Sequence, residues 1–88
     1  MREIKYIEVK THDEHNRPLL LAYSVLVDKL YQQERYGVKV TDKNSGEIAL
    51  ALDLTTEAKP IYDLLEKLAK NTVTPTGLAD IVTDWQAR

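Results

Sequence analysis

A short polar stretch, His12-Asp13-Glu14-His15, holds the side chains of this chain that are best suited to chemistry. Imidazole nitrogens and carboxylate oxygens are ligands for zinc and nickel, so the stretch is a candidate metal or small-ligand site. Such a site needs a further ligand, and the sequence identifies none elsewhere. The polar residues up to Pro18 are also typical of a solvated turn. Metal or ligand binding by this loop is therefore the alternative hypothesis, and no metal ligand is assigned.

Two carboxylates, Asp80 and Asp84, are spaced one helical turn apart near the end of the sequence. Such a pair can act as general acid and base when burial raises the pKa of one member. The neighbouring apolar residues instead place both carboxylates on the solvated flank of a helix. The chain also contains no cysteine, and no nucleophile–base pair is recognisable. The sequence therefore predicts a protein that is not an enzyme, with no catalytic residue and no cofactor.

Tyr31, Tyr36 and Trp85 could form an aromatic platform on which nucleic-acid bases stack. The charge balance argues against this use, because 12 Lys and Arg residues stand against 14 Asp and Glu residues and give a formal net charge of −2. Core packing is the preferred interpretation for Tyr36 and Trp85. Gly37 and Gly46 are isolated and form no phosphate-binding pattern. The sequence thus predicts no nucleic-acid partner.

The element that organises the chain is a β-hairpin over residues 36–54. In both arms larger apolar residues alternate with polar or small ones, which is typical of half-buried strands. Asn44, Ser45 and Gly46 lie between the arms and favour a tight turn. The hairpin therefore has one apolar face that later elements must cover.

Two further strands are predicted before the hairpin. Residues 2–11 are rich in β-branched and aromatic side chains, and their alternation slips between Tyr6 and Ile7, which indicates a bulge. Residues 19–31 are apolar at almost every position, so both faces of this segment are expected to be covered. A helix is the alternative there, but the β-branched valines favour a strand. Polar residues 31–35 form the next connection.

Two amphipathic helices are predicted after the hairpin. Each has apolar residues at positions i, i+3, i+4 and i+7, which form one stripe along a helix. Length and pattern together predict one α+β domain over residues 1–88, with a four-stranded antiparallel sheet, mostly a meander, and two C-terminal helices packed on one face. The two stripes are Ile61, Leu64, Leu65 and Leu68, and Leu78, Ile81, Val82 and Trp85.

The face of the sheet that the helices leave open is the predicted contact surface. The helices are expected to cover the larger alternate residues of the hairpin, which are Tyr36, Val38, Val40, Ile48, Leu50 and Leu52. The opposite face then carries small and apolar residues, which suit self-association about a two-fold axis or binding of a protein partner. The predicted interface consists of Leu20, Ala22, Leu26, Gly37, Ala49 and Ala51.

The end of the chain resembles a family of short, uncharacterised proteins from clostridia and related bacteria. In that family a leucine-rich helix is followed by Asn-x-Val-[Ser/Thr]-Pro and then by Leu-x-Asp-[Ile/Val]. Residues 71–75 and 78–81 here read Asn-Thr-Val-Thr-Pro and Leu-Ala-Asp-Ile, and the strand at 36–40 resembles a second recurrent segment. Many members carry another side chain where Gly77 stands. The resemblance implies the same architecture and a bacterial, intracellular protein, and it transfers no functional site.

These observations predict a small, non-enzymatic interaction or regulatory module of the cytoplasm. The first residues lack the apolar segment of a signal peptide, and no stretch approaches the length of a membrane span. The absence of cysteine favours a reducing compartment. The expected partner is another protein or a second copy of the chain, and neither nucleic acid nor a membrane is expected to bind.

Overall fold

The computed structural model describes residues 1–87, which form a four-stranded antiparallel sheet in the order β1-β2-β3-β4 and then two helices. The elements in chain order are β1 (Arg2–His12), β2 (Pro18–Leu30), β3 (Gln33–Asp42), β4 (Ile48–Thr55), α1 (Ala58–Lys70), a 3-10 turn (Pro75–Gly77) and α2 (Leu78–Gln86). Both helices contact the sheet. This meander with two C-terminal helices confirms the predicted α+β fold.

The hydrophobic core lies between α1 and the middle strands of the sheet. The strands contribute fully buried alternate residues, which are Leu21, Tyr23, Val25, Val38 and Val40. The helix contributes its predicted stripe, which is Ile61, Leu64, Leu65 and Leu68. Burial of each such side chain stabilises the fold by roughly 1.5–3 kcal/mol. This packing holds α1 on one face of the sheet.

The central strand β2 is covered on both faces, as its apolar sequence predicts. Residues 21–27 are all buried, and the helix alternative for this segment is wrong. A turn of Tyr31 and Gln32, with φ values of 51° and 65°, leads into β3. Positive φ at both positions is the geometry of a two-residue hairpin turn. The connection is therefore shorter than predicted, and β3 begins at Gln33.

The edge strand β1 is irregular. Its ladder with β2 shifts between Lys5 and Ile7, which confirms the bulge predicted from the slip in its alternation. The ring of Tyr6 packs against that of Tyr62 on α1, with centroids 5.9 Å apart. The bulge therefore bends the strand and turns an aromatic side chain towards the helix.

Helix α2 packs with its predicted stripe towards the sheet. Leu78 and Val82 are buried, and Ile81 and Trp85 are half-buried against the core. The segment between the helices is fixed to β2, because the Tyr23 hydroxyl donates to the Val73 carbonyl oxygen at 2.8 Å. Among residues 1–87, no helix has the length and apolar character needed to cross a membrane.

Candidate functional site

The register of β3 and β4 decides which side chains lie on each face of the sheet. Val38 lies opposite Ala51 and Val40 lies opposite Ala49, and residues directly opposite each other share a face. Ala49 and Ala51 therefore lie on the helix side, where both are half-buried against the core. The predicted placement of these two alanines on the open face is wrong. Their small side chains suit this side, because α2 and the 3-10 turn contact β4.

The length of the turn between β3 and β4 causes this correction. The ladder closes on Thr41 and Ile48, and residues 43–47 connect β3 to β4. A register shift of one residue moves every side chain of a strand to the other face. Both alternate sets of β4 are largely apolar, so the sequence pattern is compatible with either register.

A row of aliphatic side chains on β4 takes the place of the alanines on the open face. We name Ile48, Leu50 and Leu52 the β4 ridge. Their exposed fractions are 56%, 54% and 48%, so the predicted burial of these residues beneath the helices is wrong. Contiguous exposed apolar side chains of this kind mark contact surfaces more often than isolated ones do.

The remaining predicted interface residues lie on the open face, although other side chains cover part of them. Leu20, Ala22 and Leu26 on β2, and Gly37 on β3, alternate with the core residues of their strands. Ala22 and Leu26 are buried even though their side chains point away from the helices. The open face is therefore not the flat, bare patch that its sequence predicts.

Ionic contacts that reach across β2 cover the middle of the open face. The Lys39 ammonium lies 2.9 Å from the Glu3 carboxylate, and Glu8 pairs with Lys43 and with Lys5. The hydrogen bond from Lys43, with a second from Lys5, lowers the pKa of Glu8 to about 2. The hydrogen bond from Lys39 lowers the pKa of Glu3. Both carboxylates are therefore ionised and paired at neutral pH, which does not suit a general acid.

A hollow of about 190 Å³ lies beside the β4 ridge. Leu26, Gly37 and Leu52 line it from three adjacent strands, with Leu30 and Met1 beside them. Only glycine fits at position 37, because a Cβ there would lie 2.3 Å from the carbonyl oxygen of Ala51. Ligand pockets usually measure roughly 300–1,000 Å³. The hollow therefore suits one apolar side chain of a partner better than a separate organic ligand.

An ion pair stands at the edge of the hollow, where β4 becomes irregular. Arg35 Nη1 lies 2.8 Å from Asp53 Oδ1, and Arg35 Nε is buried without a hydrogen-bond partner. Asp53 has a φ of 59°, in the left-handed region, and the β3–β4 register shifts at this point. The regular part of β4 therefore ends at Leu52.

The ridge residues also carry the free backbone groups of the edge strand β4. The backbone N–H of Asp42 donates to the Glu47 carbonyl oxygen at 2.9 Å. By the alternation of an antiparallel ladder, Ala49 and Ala51 then direct their backbone groups towards β3. Ile48 and Leu50 direct theirs outward, and β4 has β3 as its sheet neighbour. The same residues thus offer apolar side chains and hydrogen-bonding groups to another strand.

The opposite edge of the sheet, β1, is less suited to pairing. It exposes Ile4 and Ile7 by about two-fifths on the helix side. Its bulge interrupts the ladder, and Lys5 and Glu8 line its open-face side. Bulges and charges are the usual devices that keep an edge strand from pairing. Residues 48–52 of β4 contain neither device.

The polar loop between β1 and β2 uses Asp13 to hold its own turn. The Asp13 carboxylate accepts hydrogen bonds from the backbone N–H groups of Arg17 and His15, both at 2.9 Å. These bonds lower the pKa of Asp13, the bond from Arg17 most. His15 is exposed and lies near Glu14. Over residues 1–87, no group of three or more His, Cys, Asp or Glu side chains is placed to hold a metal ion.

The other candidate residues are dispersed over the molecule. Asp80 and Asp84 are both exposed on α2. Tyr31 lies at the β2–β3 turn and is 94% exposed, whereas Tyr36 and Trp85 pack against the core. The three aromatic side chains therefore do not form a common platform.

Comparison with known proteins identifies a family. A family model described as a family of unknown function (DUF6514) matches residues 2–88. No curated protein matches the chain, and no solved structure matches it. The role of the molecule must therefore be inferred from its own surface.

Proposed function

The chain belongs to the family of unknown function DUF6514, and we propose that it is a small, non-enzymatic interaction or regulatory module that binds a protein partner through the β4 ridge. The observation that carries the proposal is the coincidence of two features in residues 48–52. These residues expose about half of each ridge side chain, and they lie on a regular edge strand. A protein strand that adds to such an edge gains main-chain hydrogen bonds and apolar contacts together.

The hollow beside the ridge adds a place for an anchoring side chain. It adjoins Leu52, so an apolar residue of a partner strand could enter it while the strand lies along β4. Buried anchors of this kind contribute much of the binding energy in protein interfaces. The ridge and the hollow together therefore form one contact surface.

A binding role also agrees with the electrostatics of the open face. Glu3 and Glu8 are each paired with a lysine, and their pKa values are lowered by these bonds. Catalytic acids usually need the opposite shift. We place the module in the cytoplasm, because the absence of cysteine from the sequence favours a reducing compartment.

Capture from an extract of the source cells with matched baits tests the proposal. The wild-type chain should retain a protein, and Leu50→Lys should reduce the amount retained by about tenfold, because a charge would be desolvated in the interface. Ile7→Lys is the matched control, since it places the same charge on a half-exposed apolar residue of the other edge strand. It should retain as much protein as wild type.

Two outcomes would contradict the proposed function. In the first, Leu50→Lys retains the same proteins as wild type, a second copy of the chain included. In the second, Ile7→Lys removes the captured protein and Leu50→Lys does not, which would assign binding to the helix side of β1.

A further inference from the structure

Resting on the proposed function, we infer that the partner at β4 is a second copy of this chain, which pairs antiparallel about a two-fold axis at Leu50. In this register Leu50 lies opposite Leu50 of the second copy, and Ile48 lies opposite Leu52. The two sheets then join into one continuous sheet through their β4 edges. Such a two-fold contact is the commonest way in which a chain associates with itself.

The backbone of β4 is complementary to itself in this register. Ile48 and Leu50 direct their N–H and C=O groups to the outer edge, as follows from the hydrogen bond between Asp42 and Glu47. When two such strands meet antiparallel, outward-pointing residues must lie opposite outward-pointing residues. The axis at Leu50 meets this requirement, and each Leu50 then both donates to and accepts from its counterpart.

The side chains on both faces also fit a second copy. On the open face the two ridges meet and form one apolar strip, and cross-strand aliphatic pairs stabilise a sheet by roughly 0.2–1 kcal/mol each. On the helix side the residues brought together are Ala49 and Ala51, which are small and half-buried. The strand residues that meet on the helix side are therefore small, and those that meet on the open face are apolar.

The charges near β4 are compatible with pairing of identical strands. Residues 48–52 contain no charged side chain, so two copies meet without like charges in the paired segment. Beyond it, Glu47 of one copy lies opposite Asp53 of the other. Asp53 is already neutralised by Arg35, at 2.8 Å, and the irregular backbone at Asp53 ends the pairing there.

The size of this contact predicts a weak, reversible dimer. A regular segment of residues 48–52 is only about 17 Å long at ~3.4 Å per residue. A standard stable interface buries about 800 Å² on each partner, which so short an edge with its ridge does not reach. The expected dissociation constant is therefore in the micromolar range or weaker.

The absence of cysteine from the chain allows a direct test of the register with single-cysteine variants. Leu50→Cys should oxidise to a disulfide-linked dimer, because opposed residues of an antiparallel pair have Cα atoms about 5.5 Å apart, within the range of a disulfide. Ile48→Cys alone should cross-link at least about tenfold more slowly, since two copies of residue 48 lie roughly 14 Å apart. In an equimolar mixture, the Ile48→Cys and Leu52→Cys variants should cross-link to each other.

Sedimentation of the wild-type chain from about 1 μM to about 1 mM provides the second measurement. We expect a monomer–dimer equilibrium that Leu50→Lys abolishes and Ile7→Lys leaves unchanged. The two-fold pairing is overturned if the wild type remains monomeric throughout, or if Ile48→Cys cross-links as fast as Leu50→Cys. Capture of a different protein that depends on Leu50 would then leave the proposed function standing, whereas no Leu50-dependent binding of any protein would remove both.

Discussion

Ala49 lies directly opposite Val40 in the β3–β4 ladder, and this relationship assigns the side chains of residues 48–52 to a face. It places the alanines on the side where α2 and the 3-10 turn contact β4, and it leaves Ile48, Leu50 and Leu52 about half exposed on the other side. The surface that we assign to a partner follows from this register.

Ala49→Glu and Leu50→Glu should have opposite consequences although the residues are adjacent. Ala49 packs against the core, so a carboxylate there would be pushed between β4 and the helices. We expect a loss of about 1–3 kcal/mol in the free energy of unfolding, measured by urea denaturation. Leu50→Glu, at an exposed position, should change it by no more than about 0.5 kcal/mol. Equal losses for the two variants would contradict the register.

Gly37→Ala should destabilise the fold because no space exists for a methyl group. The added Cβ would lie 2.3 Å from the Ala51 carbonyl oxygen and 3.0 Å from Leu52 Cα, both backbone atoms. Forcing β4 outward should cost about 1–3 kcal/mol, seen as a lower Tm. Gly77→Ala is the control, since its nearest contact is an ordinary 3.6 Å to a Val73 methyl group. A Gly37→Ala variant as stable as Gly77→Ala would show that the strands are not this close.

Tyr23→Phe should weaken the attachment of the interhelical segment to the sheet. The hydroxyl donates to the Val73 carbonyl oxygen at 2.8 Å, and burial raises the pKa of Tyr23 to about 12, so the donor proton is retained at neutral pH. Loss of the bond should cost about 1–2 kcal/mol, because the carbonyl loses its partner. Thermal unfolding measures the effect, and an unchanged Tm would mean that water replaces the hydroxyl without penalty.

The Lys5–Glu8–Lys43 contact should make stability depend on pH in the acid range. The pKa of Glu8 falls from its ordinary value of 4.5 to about 2 in the folded chain, through the bond from Lys43 and then that from Lys5. The unfolded chain therefore binds this proton more readily than the folded chain does. The contribution of Glu8 is fully present above its ordinary pKa and is lost as the pH falls towards about 2. Its size is modest, because the two lysine side chains are about half exposed.

Melting curves of the wild type and Glu8→Gln test this dependence. The Tm of the wild type should exceed that of Glu8→Gln near pH 6, and the difference should shrink as the pH approaches 2. A difference that stays constant across this range would show that the carboxylate is not held ionised by its lysines.

The fold could be predicted from the sequence because its strongest signals are local. Alternation marked the strands, the slip at Tyr6 and Ile7 marked the bulge, and Leu64 and Leu68 marked the buried stripe of α1. Each of these patterns is a regular spacing of apolar residues, or an interruption of that spacing, within a single strand or helix. It can therefore be recognised without knowing which other segments pack against it.

The candidate surface could be predicted only in part, because it depends on the pairing register of β3 and β4. Leu26 and Gly37 lie on the open face as expected, but Ala49 does not, since β4 is apolar at both alternate sets. The register depends on the turn over residues 43–47, whose length cannot be read from the residue pattern alone. The ion pair between Lys39 and Glu3, which covers part of the open face, joins residues that are far apart in the sequence. No pattern within one segment predicts it.

The most direct test of the central claim, that β4 presents a free edge, is amide hydrogen exchange of Leu50 in dilute solution compared with its neighbours Ala49 and Ala51. The account predicts strong protection of the two alanine amides, which bond to β3, and exchange at least about tenfold faster for Leu50, whose amide points outward. Raising the concentration should slow the exchange of Leu50 and leave the alanines unchanged. Equal protection of all three amides in dilute solution would contradict the account, because the edge would then already be covered.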